Sequence, residues 1–177
     1  EVQQPESQTP MGMIYTSGTT GNPKGVILSH SNLVFECSVV IPLLGMTKDV
    51  RTLAFLPWAH VFGQVAEVHG IIGCGGSAGL VDDVNTLIEE LGVVKPSVFF
   101  AVPRVYNRIY DRLREQMKEK PGFIRALFYG GLKQARRERE GETLGFMDNL
   151  ILTLARKIIF KKILNRFGGN LRIAVSG

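Results

Sequence analysis

The stretch Tyr15-Thr16-Ser17-Gly18-Thr19-Thr20-Gly21-Asn22-Pro23-Lys24-Gly25 packs three glycines, four Ser and Thr hydroxyls and one lysine into eleven positions. Each of these types suits a polyanion. Glycines let backbone N–H groups approach phosphate oxygens, hydroxyls donate further hydrogen bonds or meet Mg²⁺, and lysine supplies a compact positive charge. The order is not that of a Walker loop, which needs Lys directly after its second Gly and then Ser or Thr; here Pro23 and Gly25 flank Lys24. A flexible connector between two strands is the plain alternative, but a connector has no reason to set a lysine against a rigidifying proline. The second candidate is His60, within Leu56-Pro57-Trp58-Ala59-His60-Val61-Phe62-Gly63. Taken alone, a single His after a strand is more often a hydrogen-bonded structural residue than a reactive one.

Residues 15–25 resemble the signature loop of the adenylate-forming, or AMP-binding, superfamily, which includes acyl-CoA synthetases, peptide-synthetase adenylation domains and luciferases. The resemblance implies that Thr16, Ser17, Gly18, Thr19, Thr20, Gly21, Lys24 and Gly25 clasp the β and γ phosphates of ATP while a carboxylate attacks the α phosphate. Thr20 would meet Mg²⁺, and Lys24 would share in catalysis. Residues 56–63 resemble the LPxxHxxG segment of that family. This makes His60 the second catalytic candidate, placing the carboxylate, with Val61, Phe62 and Gly63 shaping the start of an acyl pocket. Ala101-Val102-Pro103-Arg104-Val105-Tyr106 and the basic helical sequence after it look like the long-chain fatty acyl-CoA synthetase branch. Ala174-Val175-Ser176-Gly177 resembles the strand leading to that family's Gly-rich adenine-side turn, and Ser176 and Gly177 join the acyl-pocket candidates.

The function so implied is ATP-dependent activation of a long-chain fatty acid to acyl-AMP and then acyl-CoA, with ATP, Mg²⁺ and CoA as cofactors or co-substrates. The family's YGxTE and TGD segments and its C-terminal domain with a catalytic lysine are not among these 177 residues. The chain is therefore expected to be an incomplete piece of the large N-terminal domain, holding phosphate weakly and making no thioester. Two rivals stand beside this reading: adenylation of an aryl or amino acid, and a non-catalytic module that binds a membrane or a partner.

The elements that must position these residues are short apolar strands alternating with helices. After a polar lead over 1–11, strands are expected at 12–15 and 25–28 on either side of the loop. A helix at 32–44 capped by Ser29 or Ser31 follows, then a strand at 52–56, a helix at 62–72, a strand at 77–81, a helix at 85–91 and a strand at 97–102. Helical sequence then dominates over 103–167, broken at Pro121 and around 141–145, before a last strand at 171–175. That alternation predicts an α/β fold, a mostly parallel sheet covered by helices, over a partial adenylation domain at 12–177.

The composition is that of a chain that buries a core, with 45% apolar residues. Cys37 and Cys74 lie in apolar surroundings without CxxC spacing and read as buried free thiols. The net charge of +5 is uneven, since residues 104–166 carry 16 Lys and Arg against 7 Asp and Glu. Within 150–167, apolar Leu150, Leu154, Ile158 and Leu164 sit among Arg156, Lys157, Lys161, Lys162 and Arg166, a basic amphipathic pattern that either packs on the sheet or touches an anionic bilayer. Nucleic acid is excluded as a partner, because no recognisable module or interleaved aromatics accompany the charge. With no signal-like start and no long apolar run, the expected setting is cytoplasmic, with peripheral membrane contact through the basic segment. Exposed sheet edges predict a homo-oligomer.

Overall fold

A computed structural model of the chain describes residues 4–17 and 22–177. Strands β1 (Pro10–Thr16) and β2 (Lys24–Ser29) form an antiparallel hairpin in which Thr16 faces Lys24 and Tyr15 faces Gly25. Helix α1 (His30–Leu43) follows without a linker because Ser29 closes a capping box with Asn32. The Asn32 N–H reaches Ser29 Oγ at 3.3 Å, and Asn32 Oδ1 accepts the Ser29 N–H at 2.9 Å.

Strands β3 (Arg51–Ala54) and β4 (Ser77–Leu80) pair in parallel, as do β5 (Val98–Ala101) and β6 (Ile173–Ser176). The two pairs are stitched at their starts, where the Ser97 N–H donates to the Arg51 carbonyl at 2.8 Å and the Arg51 N–H to Ser97 Oγ at 3.0 Å. This sets β3 beside β5, with the two parallel pairs remaining separate ladders. All four residues of β5 are buried, as a parallel strand covered on both faces requires. Val98 and Phe100 join a core with Met46, Val50, Leu56, Ala66 and Ile71, whereas Phe99 and Ala101 join Leu53, Leu87 and Leu91 on the opposite side.

Between β3 and β4 the chain makes one helical run: α2 (Val61–Gly63), a π-helical stretch (Gln64–His69) and α3 (Gly70–Cys74), closed by Gly75 in the left-handed conformation at φ +71°. A 3₁₀ turn (Val84–Thr86) capped by Asp83 leads into α4 (Leu87–Val94). After β5, Pro103 occupies the first turn of α5 (Pro103–Lys118), where its missing N–H costs nothing. The Tyr106 hydroxyl then reaches the Phe99 carbonyl at 2.9 Å and the Val175 carbonyl at 3.0 Å, tying α5 across β5 and β6.

The basic segment builds its own helical layer from α6 (Gly122–Arg139), α7 (Phe146–Ala155), a π-helical stretch (Arg156–Phe160) and α8 (Lys161–Arg166), around Met117, Phe128 and Ile159. Arg137 binds Asp148 at 2.8 Å and Glu142 at 2.6 Å, and Arg156 pairs with Glu138, so part of the positive charge is neutralised between helices. Both cysteines are free and only half-buried. Among the described residues no helix is long and apolar enough to cross a membrane.

Candidate functional site

The hairpin brings the two ends of the Gly/Ser/Thr-rich loop together. Thr16 closes β1 and Lys24 opens β2 directly across from it, with Thr16 Oγ1 3.4 Å from the Lys24 carbonyl. Thr16, Ser17 and Lys24 are all exposed, so two hydroxyls and an ammonium are offered to solvent at one end of the ribbon. Gly25 fits because a Cβ there would stand 2.5 Å from Met13 Sδ on the facing strand. Gly18, Thr19, Thr20 and Gly21 lie outside the described residues, and with them the Mg²⁺ expectation at Thr20.

His60 ends the turn that leaves β3. Its N–H donates to the Pro57 carbonyl at 2.9 Å, and its side chain caps α2, the Phe62 N–H donating to His60 Nδ1 at 3.3 Å. With Nδ1 accepting, the neutral ring carries its proton on Nε2, which leaves an N–H donor suited to a carboxylate oxygen. His60 lines a cavity of about 420 Å³ with Phe55, Leu56, Phe62, Gly63, Val84 and Val102, a wall apolar apart from the imidazole. Gly63 is buried because a side chain there would collide: a Cβ would lie 2.7 Å from the Pro57 carbonyl.

A second cavity, of about 410 Å³, lies on the other side of Phe62, between α1 and the Val61–Ala66 turn. Leu28 of β2, Val61, Phe100 and Val175 line it, so the end of the hairpin shares a wall with the His60 helix. Gly177 closes on the same ring, since a Cβ there would meet three Phe62 carbons within 2.9 Å. Thus His60, Phe62, Gly63 and Gly177 are gathered around one aromatic ring. Val61 joins the second cavity. Ser176 ends β6, exposed, in register with Ala101.

Glu67 has no place in the sequence expectations. It is 2% exposed, and its carboxylate accepts the Phe55 N–H at 3.3 Å and the Leu56 N–H at 3.1 Å. Burial pushes its carboxyl up to about 7, against the opposing pull of those donors. The one signal in the sequence is an acidic residue at the centre of an apolar helix, which a surface position explains equally well.

The chain matches the AMP-binding enzyme family over residues 1–146, and it belongs to that family. Across 93% of its length it is 37% identical to long chain acyl-CoA synthetase 5 of Arabidopsis thaliana, and across 92% it is 35% identical to human long-chain-fatty-acid–CoA ligase 1. It spans 25% and 23% of those two proteins, about a quarter of each. ATP-bound MatB from Rhodopseudomonas palustris superposes with a TM-score of 0.52 at 26% identity, covering 59% of this chain and 21% of that one. The o-succinylbenzoate CoA synthetase of Bacillus subtilis, in complex with the acyl-adenylate OSB-AMP, superposes at 0.54 with 27% identity, over 60% and 28% of the two chains.

Proposed function

We propose that this chain supplies the polyphosphate loop and the carboxylate-facing wall of an enzyme that activates long-chain fatty acids. A fatty carboxylate oxygen attacks the α phosphorus of ATP, the bond to pyrophosphate breaks, and acyl-AMP forms; the CoA thiol then displaces AMP at the acyl carbonyl. The protein's part is charge neutralisation and in-line placement rather than covalent chemistry. Lys24, Thr16 and Ser17 fit a polyphosphate by the chemistry of their donors. Mg²⁺ would add charge neutralisation on the phosphates, and no cluster of His, Cys, Asp and Glu suited to a metal occurs among the described residues. His60 holds a carboxylate oxygen through Nε2–H, and the apolar cavities beside Phe62 take the chain behind it.

The observation that carries this reading is the junction at Phe62: a histidine whose Nδ1 accepts the Phe62 N–H lines one apolar cavity with that ring, and the same ring lines a second. The chain's similarity to long-chain synthetases supports the fatty-acid choice over an aryl or amino acid. The test is ATP–pyrophosphate exchange with palmitate, benzoate and an amino acid, run on this chain and on a full-length enzyme carrying it. Palmitate-dependent exchange by the full-length enzyme is expected, with none by the 177 residues alone. Preference for benzoate or the amino acid overturns the substrate class.

A second reading concerns the outer face of the helical layer, where Phe146, Met147, Leu150, Leu154, Ile158 and Leu164 are exposed beside Lys157, Lys161 and Lys162. This face suits peripheral contact with an anionic bilayer, in a cytoplasmic setting. Co-sedimentation with phosphatidylserine vesicles should fall with added salt; binding that ignores lipid charge removes this reading. Self-association through the exposed edges of the β1–β2 ribbon is proposed alongside it, with Tyr15 and Ile27 exposed there, and light scattering across a dilution series decides it.

A further inference from the structure

We propose that Glu67 is a positioning residue that fixes the loop from Phe55 to His60, and through it sets where the His60 ring stands relative to the cavity. The functional half of this inference rests on the carboxylate-binding reading of His60; the structural half does not.

Two backbone donors converge on one buried side chain. The Phe55 N–H goes to Oε1 at 3.3 Å and the Leu56 N–H to Oε2 at 3.1 Å. These are the amides where the chain leaves β3, and the turn they anchor ends at His60 two residues beyond Trp58. Buried backbone N–H groups need a partner, and among the described residues no strand pairs with this stretch, so the carboxylate takes the role that a ladder would otherwise fill. Glu67 reaches the loop because it sits in the π-helical stretch Gln64–His69, whose widened turns change the facing of residues relative to a regular helix. At its other end the same helix lies against the same loop at Gly63, where a Cβ would stand 2.7 Å from the Pro57 carbonyl oxygen. His60, Pro57 and Glu67 thus belong to one closed circuit of bonds joining the helix to the turn.

Ionised, the carboxylate accepts every donor; protonated, it keeps one oxygen's proton pointed into a site made of donors. Titratable groups on the surrounding elements are His60 on the loop, His69 on the same helix, His30 and Glu36 on α1 and Arg51 on β3. None contributes to the raised carboxyl of Glu67, which burial alone drives.

The test uses Trp58, the single tryptophan of the chain. Emission wavelength and iodide quenching are measured at pH 8 on the 177-residue chain as wild type, Glu67→Gln and Glu67→Ala, with far-UV circular dichroism to confirm folding. Both variants are expected to red-shift Trp58 and raise its quenching at least twofold, because Gln turns an NH₂ toward backbone N–H groups and Ala removes both acceptors. Lowering the pH through 7 should move wild type toward the Gln spectrum and leave the Gln variant unmoved. In a full-length enzyme carrying this chain, Glu67→Gln is expected to lower kcat/KM for palmitate about tenfold while KM for ATP stays within twofold. Unchanged Trp58 emission and quenching in a folded Gln variant overturns the positioning role, and should Ala fail to fold, Gln alone decides. A wild-type enzyme inactive on every carboxylic acid would remove the carboxylate reading of His60, and Trp58 accessibility would still decide whether Glu67 holds the loop.

Discussion

Gly177 lies against the ring of Phe62 so closely that a Cβ at 177 would stand 2.8 Å from two of its carbons. Phe62 in turn meets Phe100 of β5 edge-on, with ring centroids 6.4 Å apart, so that side is packed and the ring can yield only toward the cavities it lines. Replacing Gly177 by Val should therefore push the ring into one of the flanking cavities. In a full-length enzyme, exchange with palmitate should fall about tenfold or more relative to a short acid, the scale of a few misplaced methylenes in an apolar pocket. Equal losses for acids of every length would show that the ring does not border the acyl chain.

Lys24 begins β2 with its side chain exposed and its backbone in register with Thr16, so the strand does not depend on the ammonium. Lys24→Ala should leave circular dichroism and the unfolding midpoint unchanged. Pyrophosphate exchange in the full-length enzyme should fall on the order of 100-fold, the usual loss when one preorganised charge is taken from a developing anion. Exchange that persists at the parental rate would withdraw Lys24 from the phosphate site.

Glu67 makes stability depend on pH with a definite sign. Burial raises its carboxyl from 4.5 to about 7 in the folded chain, so between those values the folded protein holds a proton that the unfolded chain has released. Its contribution is complete below pH 4.5 and is lost as the pH rises through 7. At about 1.4 kcal/mol per unit, the swing approaches roughly 3 kcal/mol. Urea unfolding at pH 5 and pH 8 should show wild type losing stability that Glu67→Gln does not lose. Parallel slopes in the two proteins would mean that the carboxyl titrates normally.

The sequence pattern located every strand that flanks a functional segment, because in a parallel layer both faces are covered and a strand reads as a bare apolar run, as at Val98-Phe99-Phe100-Ala101. It also offered Ser29 or Ser31 as the cap of the first helix, and Ser29 is the one that serves, through bonds that are local. Pairing was less legible. The expectation of a mostly parallel sheet holds for β3 to β6, whereas β1 and β2 pair with each other, a choice set by the short loop between them that strand propensity does not encode. The π-helical stretch was invisible, since Gln64–His69 has the composition of an ordinary helix. So was Glu67, because a carboxylate that turns inward to meet backbone donors leaves no periodic trace. The family match covers the loop and His60 alike, yet the contact of Gly177 with Phe62 arises only when residues more than a hundred positions apart fold together.

Two glycines of α6 should respond to alanine with opposite signs. Gly122 begins the helix in open space, and there a methyl group restricts the unfolded chain and meets nothing, so Gly122→Ala should stabilise by about 0.5 kcal/mol. Gly131 is buried where α6 crosses α7; a Cβ there would lie 2.3 Å from Ala155 Cβ and 3.1 Å from Phe160 Cζ. Alanine's helix propensity offers about 1 kcal/mol in return, but forcing two packed helices apart costs about 1–3 kcal/mol, and α7 is held by Arg137 on Asp148. Gly131→Ala should thus lower stability by up to about 2 kcal/mol in urea unfolding. Adding Ala155→Gly removes the colliding methyl, so the double variant should be more stable than the sum of the two single losses predicts. Strict additivity would mean that α6 and α7 do not cross at these two residues.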